Sequence, residues 1–144
     1  HNGDVISISP IKIFILENGM KKIILICITT MLSQYALAEN WKFIVKDEDG
    51  SFYLDTDRIV KKDKTVNYWA KFVADADSEE LDMKKGDYTL SHNLDQCADR
   101  TTNITLVEDY KKNGQLINSD PQDSDLSDID DDEINLAFFK VVCK

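Results

Sequence analysis

Residues 65–73, with the sequence TVNYWAKFV, alternate in the way that is typical of a β-strand. Four apolar residues fall on one face of such a strand: Val66, Tyr68, Ala70 and Phe72. Because a face of this kind packs against a core, the stretch predicts a half-buried strand within a sheet. Trp69 lies on the more polar face, and we interpret it as packed under a covering element rather than as a ligand-binding residue.

Two strands joined by a tight turn are predicted on the N-terminal side of this stretch. Residues 41–46 (WKFIVK) alternate like a half-buried strand, and residues 51–55 (SFYLD) form the returning strand. The sequence DEDG at 47–50 is a hairpin signal, with a glycine that is free to adopt positive φ. Residues 56–60 are predicted as a short connection or strand end, and residues 61–64 as a polar turn.

Three more strands are predicted on the C-terminal side. They cover residues 86–91, 100–110 and 115–119. The middle strand is rich in β-branched residues, and Asn113-Gly114 after it suits a type I′ hairpin turn. The acidic segment 75–85 interrupts the pattern, and it is interpreted as a loop or as a short helical turn capped by Ser78.

The C-terminal end of the chain has the pattern of an amphipathic helix over residues 130–142. One helical face carries four apolar residues: Ile134, Ala137, Phe138 and Val141. Asp128 or Asp130 is a candidate N-cap, and Asp130 with Glu133 fits a capping box that has aspartate in place of serine or threonine. A strand over residues 136–143 is the alternative, because Phe-Phe and Val-Val pairs also suit strands.

Residues 20–38 have the three parts of a secretory signal peptide. Lys21 and Lys22 form a cationic start, residues 23–32 are mostly apolar, and Ala36-Leu37-Ala38 is a small-x-small exit. The apolar run is shorter than the roughly 20 residues that a transmembrane helix needs. We therefore expect cleavage before Glu39 and a periplasmic or secreted protein of a Gram-negative bacterium.

Residues 1–19 precede this expected signal peptide. We interpret them as an upstream extension that is not part of the fold; a genuine extension with a short strand at 11–16 is the alternative. Residues 39–144 are then expected to form a single small domain.

The chain is acidic, with 27 acidic and 17 basic residues. Two of the acidic and three of the basic residues precede Glu39, which leaves a formal net charge of −11 for residues 39–144. This charge argues against nucleic acid and against an anionic membrane surface as partners, because phosphate binding depends on Lys and Arg. It favours a cationic protein, a divalent cation or simply a solvated acidic surface, and the solvated surface is the preferred interpretation.

Two cysteines, Cys97 and Cys143, follow the expected cleavage site. An exported chain enters an oxidising compartment, where an isolated pair usually forms a disulfide. Their spacing fits neither a C-x-x-C redox motif nor a structural zinc site. We therefore predict a disulfide between Cys97 and Cys143, with redox-active or metal-binding cysteines as the alternatives.

The sequence offers little for catalysis or metal binding. His92 is the only histidine after the expected cleavage site, and no serine occupies a nucleophile elbow. The acidic clusters at 47–51 and 128–133 are interpreted as a hairpin turn and a capped helix start. An EF-hand with Gly50 at its sixth position would need an acidic residue where Val45 stands. We predict no enzymatic activity, no cofactor and no metal site.

Several of these segments, taken in order, resemble the surface-adhesin protein E family of small exported bacterial proteins. The segments are the strand at Trp41, DGSFYLD at 49–55, VNYWAK at 66–71, Cys97, the hairpin at 110–114 and the final Val142-Cys143. The resemblance implies an α+β fold, in which an antiparallel sheet of about six strands carries a C-terminal helix tied to it by the cysteine pair. It also implies adhesion, since the name-giving members bind host extracellular-matrix and serum proteins.

The chain departs from the family pattern at two places. An acidic stretch, residues 124–132, replaces the proline-serine entry to the last helix. The signal peptide also lacks the lipid anchor of the name-giving members. Both departures bear on whether the adhesin activity transfers to this chain.

Two classes of function follow from these observations. The first is an adhesin-like module that binds a protein partner such as a host matrix protein. The alternative is an acidic periplasmic inhibitor of a cationic hydrolase such as lysozyme, which the charge of residues 39–144 would attract. Segments 75–85 and 120–132 are the candidate contact regions, and no residue in either is assigned to a partner.

The expected processing can be tested by the intact mass of exported protein. We expect a polypeptide that begins at Glu39. Its mass should be lower than that of its fully reduced form by two hydrogen atoms, because one disulfide removes two thiol hydrogens. Two free thiols, or a chain that begins before Ala38, would contradict this expectation.

Overall fold

The computed structural model describes residues 39–144, so the expected signal peptide and upstream extension lie outside the described residues. Within this described part of the chain, eight strands follow one another: β1 Trp41–Lys46, β2 Gly50–Asp55, β3 Val60–Lys62, β4 Thr65–Ala74, β5 Tyr88–Gln96, β6 Thr101–Tyr110, β7 Leu116–Pro121 and β8 Ser127–Asp128. A 3₁₀ turn at Ile129–Asp131 leads into one α-helix, α1, at Glu133–Val142. The expected combination of an antiparallel sheet with a C-terminal helix is confirmed.

Six longer strands form the body of the sheet in the order β1-β2-β4-β5-β6-β7, with all neighbours antiparallel. The number eight corrects the expected six, because β3 also pairs with β4 and β8 with β6. β3 turns back through Asp63, which has a φ of 55°. At three and two residues these strands are too short to show alternation. The sequence therefore indicated only a connection and a polar turn at β3, and no strand at β8.

The core lies between the sheet and α1. Its buried side chains come from β2, β4 and the helix: Leu54, Val66, Tyr68, Ala70, Phe138 and Val142. The ring of Tyr68 stacks on that of Phe138 with centroids 5.8 Å apart. The alternation at the centre of the chain therefore predicts the buried face correctly, and a helix rather than a strand covers that face.

A buried polar contact borders this core. The hydroxyl of Tyr68 lies 3.2 Å from the carboxylate of Asp95 on β5, and the Asp95 residue is 1 % exposed. Burial raises the pKa of Asp95, although hydrogen bonds from Thr102 and Tyr68 oppose the shift. The same burial, together with the neighbouring carboxylate, raises the pKa of the Tyr68 hydroxyl.

The start of α1 differs from the expected cap. The N-cap is Asp132, whose Oδ1 accepts hydrogen bonds from the backbone N–H groups of Ile134 at 2.7 Å and Asn135 at 3.1 Å. Asp128 caps the preceding 3₁₀ turn instead, and Asp130 pairs with Arg100. The predicted capping box is therefore wrong, because the α-helix begins after the 3₁₀ turn rather than at its first residues.

Gly50, in the turn between β1 and β2, is needed because a side chain would not fit there, and its φ is not positive. A Cβ at Gly50 would lie 2.2 Å from the carbonyl oxygen of Val73 and 2.7 Å from the Phe72 ring. The turn itself is closed by Asp47, whose Oδ1 accepts from the backbone N–H groups of Asp49 and Gly50 at 2.9 and 3.0 Å. The expected hairpin forms, and close approach of β4 explains its glycine.

The turn between β6 and β7 is not the predicted type I′ turn. Gly114 has a φ of 90°, whereas Asn113 is not among the described residues with positive φ. The N–H of Gly114 donates to the carbonyl of Lys111, and the N–H of Lys111 donates to that of Gln115. This is a type I turn followed by a left-handed glycine, the three-residue alternative to a type I′ hairpin.

A disulfide joins Cys97, just after β5, to Cys143, the C-cap of α1. The two residues are 46 positions apart in sequence, and their Cα atoms are 5.6 Å apart. The predicted pairing of the two cysteines is therefore present. It fixes the end of the helix to the edge of the core, beside Val66 and Val142.

Replacing both cysteines by serine should lower the free energy of unfolding by about 4 kcal/mol, the chain-entropy value for a loop of this length. Urea denaturation of the oxidised wild type and of the Cys97→Ser/Cys143→Ser variant measures the difference. Wild type kept in reductant is the control, and it should unfold at the urea concentration of the variant. Equal stability of oxidised wild type and variant would contradict the structural role of the disulfide.

Candidate functional site

An apolar groove lies beside α1, on the same face of the sheet. It consists of a cleft of about 470 Å³ and an adjoining cleft of about 330 Å³, which share Phe52, Ser91 and Ile104 in their walls. We call it the helix-side groove and define it by its apolar residues: Phe52, Phe72, Leu81, Met83, Ile104, Val107 and Ile117. The groove exists because the ten-residue helix covers only part of a sheet that is six strands wide.

Strand alternation places the floor of the groove. Phe52 on β2 lies opposite Phe72 on β4, and their ring centroids are 4.9 Å apart. Both belong to the face that carries the core residues, and both line the larger cleft, which contains no residue of α1. Ile104 on β6 and Ile117 on β7 extend this surface, with exposures of 38 % and 53 %. The groove therefore continues the core into solvent, which marks an interaction surface when the patch is contiguous.

The acidic loop 75–85 forms one wall of the groove. Two reciprocal backbone hydrogen bonds between Ser78 and Met83 close the loop. The Ser78 hydroxyl also accepts a hydrogen bond from the N–H of Leu81 at 3.2 Å. These bonds hold Leu81 and Met83 against the floor. Of the two predicted contact regions, this one lines the larger cleft, whereas only Asp132 of segment 120–132 reaches the smaller one.

Carboxylates surround the apolar floor. Asp87, which is 3 % exposed, accepts from the backbone N–H groups of Lys84 and Lys112 and from the Lys111 ammonium at 3.4 Å. The bond from Lys84 is the main reason that the pKa of Asp87 is lowered. Asp109 accepts from the hydroxyl of Thr89 at 2.7 Å. The groove thus combines an apolar base with an acidic rim.

The opposite face of the sheet carries alternating rings and cations, which we call the cation–aromatic ladder. Its members run across four strands and one turn: Trp69, Arg58, Trp41, Lys71, Tyr88 and Tyr110. Arg58 lies 5.2 Å from the ring centre of Trp69, and Lys71 lies 4.4 Å from that of Tyr88. Such contacts contribute about 0.5–1 kcal/mol each at partly exposed sites.

The ladder explains Trp69, which the sequence placed on the polar face. Its ring is covered by the guanidinium of Arg58 and flanked by His92 at 5.1 Å between ring centres. The covering element is therefore a side chain rather than a helix or strand. Because its own cations occupy its rings, this face is a weaker candidate for partner binding than the helix-side groove.

An ion pair anchors the ladder. Asp55, which is fully buried, binds the guanidinium of Arg58 and accepts from the backbone N–H groups of Asp57 and Asn40. Burial alone would raise the pKa of Asp55, but these hydrogen bonds outweigh it and lower the pKa. Arg58 also reaches Glu39 at 3.3 Å. The start of the domain is thereby tied to the face opposite the groove.

His92, the one histidine among residues 39–144, packs against Trp69 and Thr105. Nδ1 of His92 lies 2.6 Å from the hydroxyl oxygen of Thr105, and burial followed by the charge of Arg58 lowers its pKa. Across residues 39–144, no group of three or more His, Cys, Asp or Glu side chains is placed to hold a metal. The clusters at 47–51 and 128–133 are occupied by the turn and cap hydrogen bonds already described.

Comparison with protein families gives a direct result. A family model described as Surface-adhesin protein E matches residues 41–144. The chain belongs to the surface-adhesin protein E family. The resemblance noted in the sequence is therefore confirmed, and the family description names a surface adhesin.

Comparisons with curated proteins and with solved structures found no significant match. Among the residues that the structure describes, no helix has the length and apolar character needed to span a membrane. The family match and the geometry of the domain are thus the two observations on which a function can be argued.

The Asp55–Arg58 pair predicts a pH-dependent stability. Asp55→Asn should lower the free energy of unfolding at pH 7 by about 2 kcal/mol, in the range for hydrogen bonds to charged groups, with some screening because Arg58 is partly exposed. Because the pKa of Asp55 is lowered in the folded state, its contribution is present above the unfolded pKa of about 3.9 and is lost as pH falls through the folded pKa.

Urea unfolding of wild type and variant between pH 7 and pH 2.5 measures this dependence. The neighbouring exposed Asp57→Asn is the control, and it should change stability little at any pH. If the difference in unfolding free energy between wild type and Asp55→Asn stayed constant down to pH 2.5, the lowered pKa of Asp55 would be contradicted.

Proposed function

We propose that residues 39–144 form an exported adhesin-like domain that binds a protein partner through the helix-side groove. The observation that carries the proposal is an exposed apolar surface, continuous with the core, in a member of the surface-adhesin protein E family. A monomeric domain gains nothing in stability by leaving such a surface open, so a binding role is the physical reason for it.

The groove has the composition of the centre of a protein interface. Its apolar and aromatic side chains supply the energy, and the surrounding carboxylates form a polar rim. Burying one further Ile or Phe side chain contributes about 1.5–3 kcal/mol. Two or three such side chains from a partner, fitted between Phe72 and Ile117, are enough for a specific contact of moderate affinity.

The proposed partner class is a host extracellular-matrix protein, and the proposed location is the periplasm or the outside of the cell. Both rest on the family description as a surface adhesin and on the signal peptide expected at 20–38. In the same proposal residues 1–19 lie outside the fold and residues 39–144 are its single domain. Inhibition of a cationic hydrolase has no support from the family match, so it is not proposed.

Binding to matrix proteins tests the proposal. We expect purified domain to bind at least one of immobilised fibronectin, laminin and collagen in surface plasmon resonance. The variant Ile104→Ser/Ile117→Ser should weaken that binding about tenfold or more, because it removes apolar contact area at the centre of the groove.

The matched control is Phe43→Ser, which removes a side chain with the same 53 % exposure as Ile117 but lies on β1, outside the groove. It should leave the affinity unchanged, and circular dichroism should show all variants folded. Binding that is equal for all variants would exclude the groove, and no binding to any of the three proteins would contradict the partner class.

A further inference from the structure

We propose that the helix-side groove contains a subsite for a lysine or arginine side chain of the partner, with the Asp109 carboxylate as the acceptor for its charged end. The inference rests on the proposed function, since it names the chemistry that the same groove selects. The proposed ligand is a basic side chain with apolar neighbours, as in a protein segment that alternates cationic and apolar residues.

The position of Asp109 is the first argument. The residue lies on β6 opposite Thr89 of β5, and both line the larger cleft together with the apolar floor. Asp109 is half-buried, and the Thr89 hydroxyl donates one hydrogen bond to it at 2.7 Å. An ionised carboxylate has about four lone-pair sites. Within the described domain, hydrogen bonds therefore use only a small part of its acceptor capacity.

The absence of an internal cation is the second argument. No Lys or Arg nitrogen lies within 4.0 Å of Asp109 among the residues of the described domain. Lys111, which follows the last residue of β6, also lines the cleft, but its ammonium lies 3.4 Å from Asp87. The three bonds that Asp87 accepts from Lys84, Lys111 and Lys112 hold it to the protein. No such cationic partner is present for Asp109 within residues 39–144.

The walls around Asp109 supply the third argument. Phe72, Met83 and Ile117 line the same cleft and offer apolar surface. Lysine and arginine bury their methylene stems along apolar surface and extend their charged ends to a polar partner. An uncharged straight side chain, such as that of norleucine, would make the apolar contacts but no bond to Asp109. An acidic side chain would be repelled by Asp82 and Asp109. A basic side chain satisfies both parts of the cleft.

The net charge of the domain supports the same choice. At −11 for residues 39–144, the long-range field attracts a cationic segment and repels an acidic one. The short-range bond to Asp109 then distinguishes a basic side chain from a neutral one of similar length, because charge-assisted hydrogen bonds are about twice as strong as neutral ones.

Titration of ¹⁵N-labelled domain followed by NMR tests the subsite with small probes. The probes are the Nα-acetyl methylamides of lysine and arginine, and the comparison compounds are those of norleucine and Nε-acetyl-lysine. We expect saturable shifts of the amides of residues 107–111 and of Met83, with a Kd of about 1–10 mM for ligands of this size. The two neutral compounds should bind about tenfold more weakly.

Asp109→Asn should reduce the affinity for the two basic probes to that of norleucine, while the Thr89 hydroxyl can still donate to the new amide oxygen and preserve the fold. Asp123→Asn is the matched control, because it changes the net charge equally at an exposed position outside the groove, and it should bind like wild type. If the lysine and arginine probes bind with different affinities, the tighter one shows which side chain the subsite prefers. In either case Asp109→Asn must weaken binding of the preferred probe.

Three results would overturn the inference: no saturable shifts by the basic probes, equal binding of norleucine, or unchanged binding by Asp109→Asn. These outcomes are independent of the matrix-protein experiment. A domain that binds the probes but no matrix protein would retain the subsite and lose the proposed partner. A domain that binds matrix protein through Ile104 and Ile117 but not the probes would retain the function and lose the subsite.

Discussion

The attachment of a short helix to a wide sheet is the constraint on which the rest of the structure depends. A ten-residue helix is too short to be stable by itself in water, so α1 exists because its apolar face packs on β2 and β4. Phe138 and Val142 provide that packing, and the bond from Cys143 to Cys97 holds the last turn in place. The helix packs on β2 and β4, whereas six strands span about 24 Å. The sheet surface at Ile104 and Ile117 is left exposed as a result.

The acidity of the domain has a second consequence for its architecture. Many of its carboxylates are acceptors for backbone N–H groups that would otherwise have no partner. Asp47 closes the first hairpin, Asp87 fixes the loop that walls the groove, and Asp132 caps the helix. Clusters that resemble metal ligands in the sequence are thus turn and cap residues in space. Asp109 differs from these three, because it lies on a strand and accepts a side-chain hydroxyl rather than a backbone group.

The sequence indicated the long elements well and the short ones poorly. Alternation at 65–73 identified the buried face, because a strand with four apolar residues on one side has few other ways to pack. The pairing of Cys97 with Cys143 followed from export and from the number of cysteines. The sequence prediction placed the start of α1 too early. Four aspartates lie between 128 and 132, and which of them caps the α-helix depends on the 3₁₀ turn that precedes it. Gly50 was assigned to a turn conformation, because the approach of Val73 is a tertiary contact that leaves no local signal.

The groove was missed for a related reason. Phe52 and Phe72 have the same alternation as the core residues beside them, so nothing in their local sequence separates a covered position from an open one. A comparison of the expected helix length with the expected sheet width would have indicated an uncovered end. Asp109 could not have been singled out among the 27 acidic residues of the chain, because its lack of a cationic partner is visible only when Lys111 is seen to bind Asp87.

The outer strand β7 affects how copies of this protein behave when crowded. Its free edge has no neighbouring strand within the described domain, and such edges invite other chains to join the sheet. The strand ends in Asp120 and Pro121, where a proline offers no N–H group and an aspartate repels its counterpart on another molecule. Pairing of this edge with the same edge of a second molecule is therefore disfavoured, even in a dense layer.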